Sequence, residues 1–541
     1  MKKTSRMIAM ILGLAMCLVL FAACGDDGSP ATPGPTSPSP PGPPQIANTP
    51  PPATPPAGEN VKLADEVVIG KGTNPVALIN PFSPAAGNNI NGSIYILLYN
   101  RLIEGNPVDG FTEALATRWE TNDYRVYHFT LRDDVYFSNG DKFTAQDVAN
   151  TIEMSRGGAG SLGLDMWRPV ETVIVENDTT LRIELSTVNV DFYSNIAQPW
   201  AGIVNKRAID ADSETGYWVG TGAYRIADFT SNVFTALERR DDYWGEAPLT
   251  PRIVFRFTPE VSARTIQLQN GELHASLSVN EADMPFFVGN DDFIIYSWTL
   301  LHPNYIGFNM RHPITSDRNF RMAVAHAIDR ESAAIVAMEE WHTLETTGTF
   351  WGMGTEFRNN DIPAIPFDII KAREYLALTD YNGEELELVV TLTQPFRACE
   401  LIQEQLSLIG VNIRVNRMDM AAFTSYATFE NNESPLVVHL APQVRGAGNF
   451  RNAVVPGPAI NRVRYNNPVV TEMLNRAPTV TDRAAREAIY REVQEIVAYD
   501  LPYFTLFFQE QTLVATKGLG GVGIVPESHH DYRQVFLVLD D

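Results

Sequence analysis

HPNYIGFNMRHPITSDRNFRMAVAHAIDRE, residues 302–331, changes its periodicity part-way along, and that change decides how the chain folds. Tyr305-Ile306-Gly307-Phe308-Asn309 alternates bulky side chains as a half-buried strand does. His312-Pro313 ends the run, because proline has no N–H to give a ladder. Ser316 and Asp317 carry side-chain oxygens that can accept the free N–H groups of a helix start. Phe320, Val324, Ala327 and Ile328 then recur at i, i+4, i+7 and i+8, the spacing of one buried helical face. The stretch predicts a strand, a break and a core helix, with Arg318, Arg321 and Arg330 on the helix surface.

Working outward, the same alternation continues. Arg373 to Ala377 reads as helix and Leu386 to Leu392 as strand. A helix from Leu401 to Leu408 then ends at Gly410, a residue suited to the left-handed C-cap, before a strand from Val411 to Val415. Helices alternating with strands imply an α/β lobe. Upstream, Glu66 to Gly70 is a short strand and Ile94 to Asn100 a buried helix. Tyr127, Phe129 and Leu131 share one side of a strand, Asn139-Gly140 forms a tight turn, and Thr144 with Asp147 has capping-box spacing. Val173 to Val175 and Leu181 to Leu185, separated by Asn177-Asp178, form a hairpin. Near the end, Tyr490 to Tyr499 is helical and 500–507 strand-like. No internal repeat is visible.

At 541 residues, 44% hydrophobic and 20% charged, the chain suits two or three packed domains. Its net charge of −24 argues against nucleic-acid binding, which needs basic stripes to neutralise phosphate. Lys2, Lys3 and Arg6 precede an apolar run, Met7 to Phe21, that is short for a membrane span and right for a secretory signal. Leu20-Phe21-Ala22-Ala23-Cys24 then resembles a bacterial lipobox. This predicts removal of 1–23, lipid attachment at Cys24, and a location on the outer face of the cell membrane. From 24 to 60 the chain is a tether, with 13 of the 36 prolines between Pro30 and Pro56. At ~3 Å per residue, proline-rich chain of this length reaches on the order of 100 Å. Of three cysteines, only Cys399 remains in the mature folded part, a small packed residue.

The words of these elements resemble the family 5 extracellular solute-binding proteins that serve peptide and nickel ABC transporters. The resemblance is carried by FNM with FRMAVAHAIDRE, by Tyr99-Asn100-Arg101-Leu102-Ile103-Glu104, and by the ordered run from Ala114 to Val148. Gly220-Thr221-Gly222-Ala223-Tyr224, Asp241-Asp242-Tyr243-Trp244-Gly245 and Asp500 to Phe507 extend it, so that it covers about 67–538. It implies a periplasmic-binding-protein type II-like α/β fold, with two lobes joined by a two-strand hinge and an extra domain in the first lobe. The expected boundaries are 61–102, 203–303 and 510–541 for domain I, 103–202 for domain II, and 304–509 for domain III. It implies a monomeric binding protein, not an enzyme, that captures a solute, by default a peptide, and hands it to a permease without a cofactor. A non-peptide solute (metal chelate, sugar or anionic compound) and a secreted lipoprotein hydrolase are the alternatives.

Other chemistry finds little support. Gly518 to Gly523 satisfies G-x-G-x-x-G, but Pro526 interrupts the helix that this fingerprint requires, so a glycine-rich surface loop is expected. His529-His530-Asp531 invites a metal reading, yet adjacent histidines diverge on any regular backbone. No nucleophile elbow occurs. The resemblance puts an aspartate that pairs with a peptide amine near Leu436–Phe450, but Val437 to Gly446 contains no acid. Arg445 in that run offers a guanidinium fork for a carboxylate or phosphate. His439, Gln443, Trp351 and Phe504 are the further cleft candidates.

Overall fold

Asn309 ends the first strand for a reason beyond the nearby proline. In the computed structural model its buried amide donates to the carbonyls of Asn432 (3.0 Å) and Ser434 (3.1 Å) and accepts from the N–H of Arg311 (3.0 Å). Thr315 closes the turn on the Asn309 carbonyl at 2.8 Å. Asp317 is the N-cap, accepting from the N–H of Asn319, and the helix Arg318–Ala327 begins there. That helix is buried all round from Phe320 to Ala327 and packs against the helix Ile369–Leu376. Arg321 is therefore not a surface residue. It is 3% exposed and donates to the carbonyls of Thr315, Ser316 and Asp500. The last of these closes the helix Arg483–Asp500.

The structure describes residues 54–55, 61–72, 79–83, 89–157, 162–392, 396–458, 460–527 and 529–539. The expected signal segment 1–23, Cys24 and nearly all of the expected tether lie outside them. Ile46–Asp541 is one compact unit.

An 11-stranded sheet runs through that unit. From one edge it places Ile413–Met418, Leu386–Thr391, Leu436–Leu440, Phe293–Phe308 and Tyr503–Thr516 in order. Ala275–Leu277, Glu66–Lys71, Arg252–Phe257, Phe234–Arg239 and Tyr224–Thr230 complete it, with His342–Leu344 added on Tyr503–Thr516. Parallel pairs at Leu386–Thr391 and at Glu66–Lys71 carry helical crossovers, as parallel strands must.

Two strands, of 16 and 14 residues, are long enough to belong to both halves. They pair antiparallel, and their register breaks between Thr299–Glu510 and Pro303–Phe508, so Leu300, Leu301 and His302 oppose Gln509 alone. Such a bulge bends and twists a sheet. On either side the cores are separate. Two draw on 305–507, and another on 64–99, 200–296 and 513–537. A further core, spanning 102–203, sits under a four-stranded sheet ordered Ala116–Glu120, Val126–Leu131, Thr180–Leu185, Val170–Asn177. In it Asp147 accepts from the N–H of Thr144 at 2.9 Å, completing the expected cap.

Gly518 to Gly523 is not a surface loop. Leu519–Gly520 pairs with Phe536–Leu537, and a Cβ on Gly521 would lie 1.7 Å from the Gln534 carbonyl. The glycines are there for that close approach.

Candidate functional site

Past the strand Leu436–Leu440 the chain leaves the sheet at its hinge end, held by Ala441 N–H donating to the Pro303 carbonyl at 3.0 Å. The next residues are fixed to their own lobe by Gln443. Its Oε1 accepts from Gly352 N–H (2.6 Å) and its Nε2 donates to the Phe350 carbonyl (3.0 Å). The Arg445 carbonyl accepts from Glu356 N–H at 2.8 Å. So anchored, the loop reaches the other lobe. Gln443 N–H donates to His302 Nδ1 at 3.0 Å, in the register break itself. Arg445 N–H donates to Glu527 Oε1 at 3.2 Å, and its guanidinium lies 3.4 Å from Asp109 Oδ2.

Asp109 stands in the turn between the strands Ile103–Asn106 and Gly110–Glu113, where Asn106 Nδ2 donates to it. Val190 N–H donates to the Pro478 carbonyl at 2.9 Å, a second point where the halves touch. The cleft is closed. At Gly448 closure is tight enough that a Cβ would lie 2.6 Å from Asp191 Oδ2. Burial raises the Asp191 carboxyl to about 6, against the pull of Arg486. Burial likewise raises Glu527 above the usual carboxylate range, with Arg445 opposing it.

The first lobe also pairs imidazoles with indoles. Trp200 packs edge-on to His529, with ring centroids 5.5 Å apart, and Trp298 to His530 at 4.7 Å. The two adjacent histidines thus serve different indoles. Burial lowers His302 and His529 to about 4 and also lowers His530 well below the usual imidazole range, so all three are neutral. Neutrality is what lets His302 Nδ1 accept from Gln443. Lys71 is buried beside Tyr532, its Nζ 3.4 Å from the phenol oxygen, and burial lowers it to about 7. Several buried polar atoms here have no hydrogen-bond partner: Trp298 Nε1, His530 Nε2, Gln511 Oε1, both amide atoms of Asn304, and His439 Nε2. Such atoms are costly in a closed protein interior.

Of the five side chains singled out from sequence, Gln443 and Arg445 stand at the lobe junction. His439 is on the adjoining strand, stacked on Phe423 at 4.7 Å, and burial lowers it to about 3. Trp351 is fully buried, packed on Phe450 with centroids 3.8 Å apart and ring planes tilted by 32°, and its Nε1 donates to the Glu356 carbonyl. Phe504 is 4% exposed in the second-lobe core. In this closed conformation neither Trp351 nor Phe504 faces the junction. Sequence reading passed over His302, Asp109 and Glu527. His302 opens the deciding stretch, but only its pairing with a residue 141 positions away makes it a junction group. Cys399 is buried in the helix Phe396–Ser407, where burial pushes its thiol up to about 12, far from a reactive thiolate.

Residues 110–440 match the model of the bacterial extracellular solute-binding proteins, family 5 middle region, over more than half of the chain. The chain belongs to that family. Among family 5 relatives, the glutathione-binding protein GsiB of Pectobacterium atrosepticum is 23% identical over 495 residues, covering 88% of this chain and 95% of that one. The oligopeptide-binding protein AppA of Bacillus subtilis is 21% identical, covering 85% and 89%. Among solved structures, the ABC transporter substrate-binding protein CtaP of Listeria monocytogenes superposes with a TM-score of 0.79 at 20% identity. That match covers 88% of this chain and 100% of CtaP. The two-lobe family 5 fold is thus the fold of this protein. No helix among the described residues is long and apolar enough to cross a membrane.

Proposed function

We propose that this protein is the extracytoplasmic substrate-binding component of an ABC importer, closing its lobes on a peptide or peptide-like solute and delivering it to a permease. The observation that carries the reading is the junction itself. A loop anchored to one lobe meets the other through Arg445 and Gln443, beside buried polar atoms that no protein group satisfies. A ligand with amide and charged groups would supply those partners, and contacts on both lobes would shift the hinge toward closure. The relatives named for glutathione and oligopeptides support the solute class. The acid missing from 437–446 is supplied in space by Glu527, with Asp109 beside it, so a ligand amine has a carboxylate to meet. Gln443, Arg445 and His439 are the proposed contacts, with Trp351 and Phe504 supporting them from the core.

In this reading the lobes meet at 303/304 and 509/510, and 103–202 forms the extra domain. The mature chain acts as a monomer, tethered through lipidated Cys24 by 24–60, and performs no catalysis. The chain expressed from Glu59 should carry a peptide-like compound identifiable by mass spectrometry after denaturation. In thermal-shift measurements free-amine peptides should stabilise it, since ligand that binds only the folded state raises apparent stability. Glu527→Gln and Arg445→Ala should each weaken that effect. A panel in which no peptide stabilises the protein, while a sugar or metal chelate does, would overturn the solute class. Retained fatty-acid labelling in Cys24→Ala would overturn the anchor.

A further inference from the structure

A cavity of about 420 Å³ lies within the second lobe, lined by residues between Arg330 and Thr505 and sharing none with the lobe junction. Its volume falls in the range of small-molecule sites. Tyr499, Tyr503, Phe504, Ile362 and Leu501 give it mostly apolar walls. Among them stand one guanidinium, Arg330, the first residue of the helix Arg330–Met338, and two carboxylates, Asp361 and Glu495.

Arg330 is poorly matched. Its guanidinium lies over the Phe504 ring at 5.4 Å, and one long hydrogen bond, 3.5 Å, reaches the Thr505 carbonyl. Among the described residues it forms no ion pair, whereas Arg358 close by is paired with buried Glu345 at 2.8 Å. Both lining carboxylates, and Asp329 next to Arg330, are engaged. Asp329 caps its own helix through Glu331 N–H, Asp361 pairs with Arg491, and Glu495 accepts from Asn359 Nδ2. Glu345 acts on Arg330 only from beyond ion-pair distance; a guanidinium held in a mostly apolar wall without a directly paired counter-charge is unfavourable, and a planar carboxylate is the group its fork matches.

We infer that this cavity is a second ligand site, taking a small monocarboxylate with an apolar body. The carboxylate lies on Arg330 and the body lies against Tyr503, Phe504 and Ile362. The site lies apart from the lobe junction, sharing with the cleft only Phe504 as a supporting wall, and would serve as an accessory or effector site on the second lobe.

Phenylacetate titrated into the full mature chain and followed by ligand-observed NMR and calorimetry tests this. It should bind one to one, and phenethyl alcohol, of like shape without the charge, should bind at least tenfold more weakly. Arg330→Gln should lose at least tenfold in phenylacetate affinity. Ala498→Leu, which fills the cavity and leaves the charge in place, should do the same. Both variants should keep the cleft's response to its own solute, so failure here is distinct from failure of the importer reading. No binding of phenylacetate up to about 10 mM, or equal binding by wild type and both variants, would overturn the inference.

Discussion

Trp351 shows how a residue type can point two ways. An exposed tryptophan at a cleft would be a ligand platform, but here the indole lies between Phe450 and Tyr490 with its N–H spent on the Glu356 carbonyl. Trp351→Ala should therefore cost about 3–5 kcal/mol of folding stability, the usual range for emptying a large aromatic site. Chemical denaturation reads that loss directly, and a variant of unchanged stability would remove the indole from the core account. His302 makes a second case. Folded, it resists protonation until pH falls to about 4, while the unfolded imidazole protonates near 6.5. Stability from its neutral form is thus complete above pH 6.5 and drains away as pH drops toward 4. His302→Gln should flatten the fall of stability with pH in that window by at most about 1.4 kcal/mol per pH unit. Asp191, whose buried carboxyl is raised to about 6, acts with the opposite sign, so the difference between variant and wild type is the quantity to measure. Identical slopes would mean His302 is not held neutral by the junction.

At the scale of elements, the strand–break–helix of 302–331 is built from local rules. Asp317 accepts from Asn319 N–H at 2.8 Å, and loss of an N-cap costs about 1 kcal/mol. Asp317→Ala should lower the thermal midpoint by a few degrees, Asp317→Ser should restore most of it, and solute affinity should not change. An affinity loss as large as the stability loss would mean the helix start is coupled to the cleft. The helix interior obeys a different rule. Spacing marks Phe320, Val324, Ala327 and Ile328 as one buried face, yet the surrounding helices and sheet bury every side chain from Phe320 to Ala327. Arg321 is admitted because four carbonyl contacts satisfy it, which no periodicity argument could supply.

Across the whole molecule, the proposed function rests on two halves joined by two long strands and meeting at a loop. Gly448 is where that meeting leaves least room, 2.6 Å from an added Cβ to Asp191 Oδ2. Gly448→Ala should hold the lobes apart, raising the radius of gyration of the solute-loaded protein in small-angle scattering. Solute affinity should weaken about tenfold, or ~1.4 kcal/mol. The unliganded protein should unfold where wild type does, since each lobe keeps its own core. Unchanged affinity and unchanged scattering would show that the contact is not part of closure.

The order of elements, the α/β character, the capped helices and the family accent could be read from the chain because they arise from interactions between near neighbours. A strand alternates over two residues, a helix over three or four, and a cap spans three. The junction depends on residues far apart in sequence: Gln443 on His302, Arg445 on Glu527 and Asp109, Gly448 against Asp191. None of these pairs carries a local signal, and the loop that lacks an acid of its own meets one 82 positions on. The same holds for the buried glycine-rich strand and for Arg330, whose environment is set by segments that meet only in the folded lobe. The sequence determined what kind of protein this is, because its elements are local. Tertiary structure alone decided which side chains meet across the cleft, because closure is a contact between lobes.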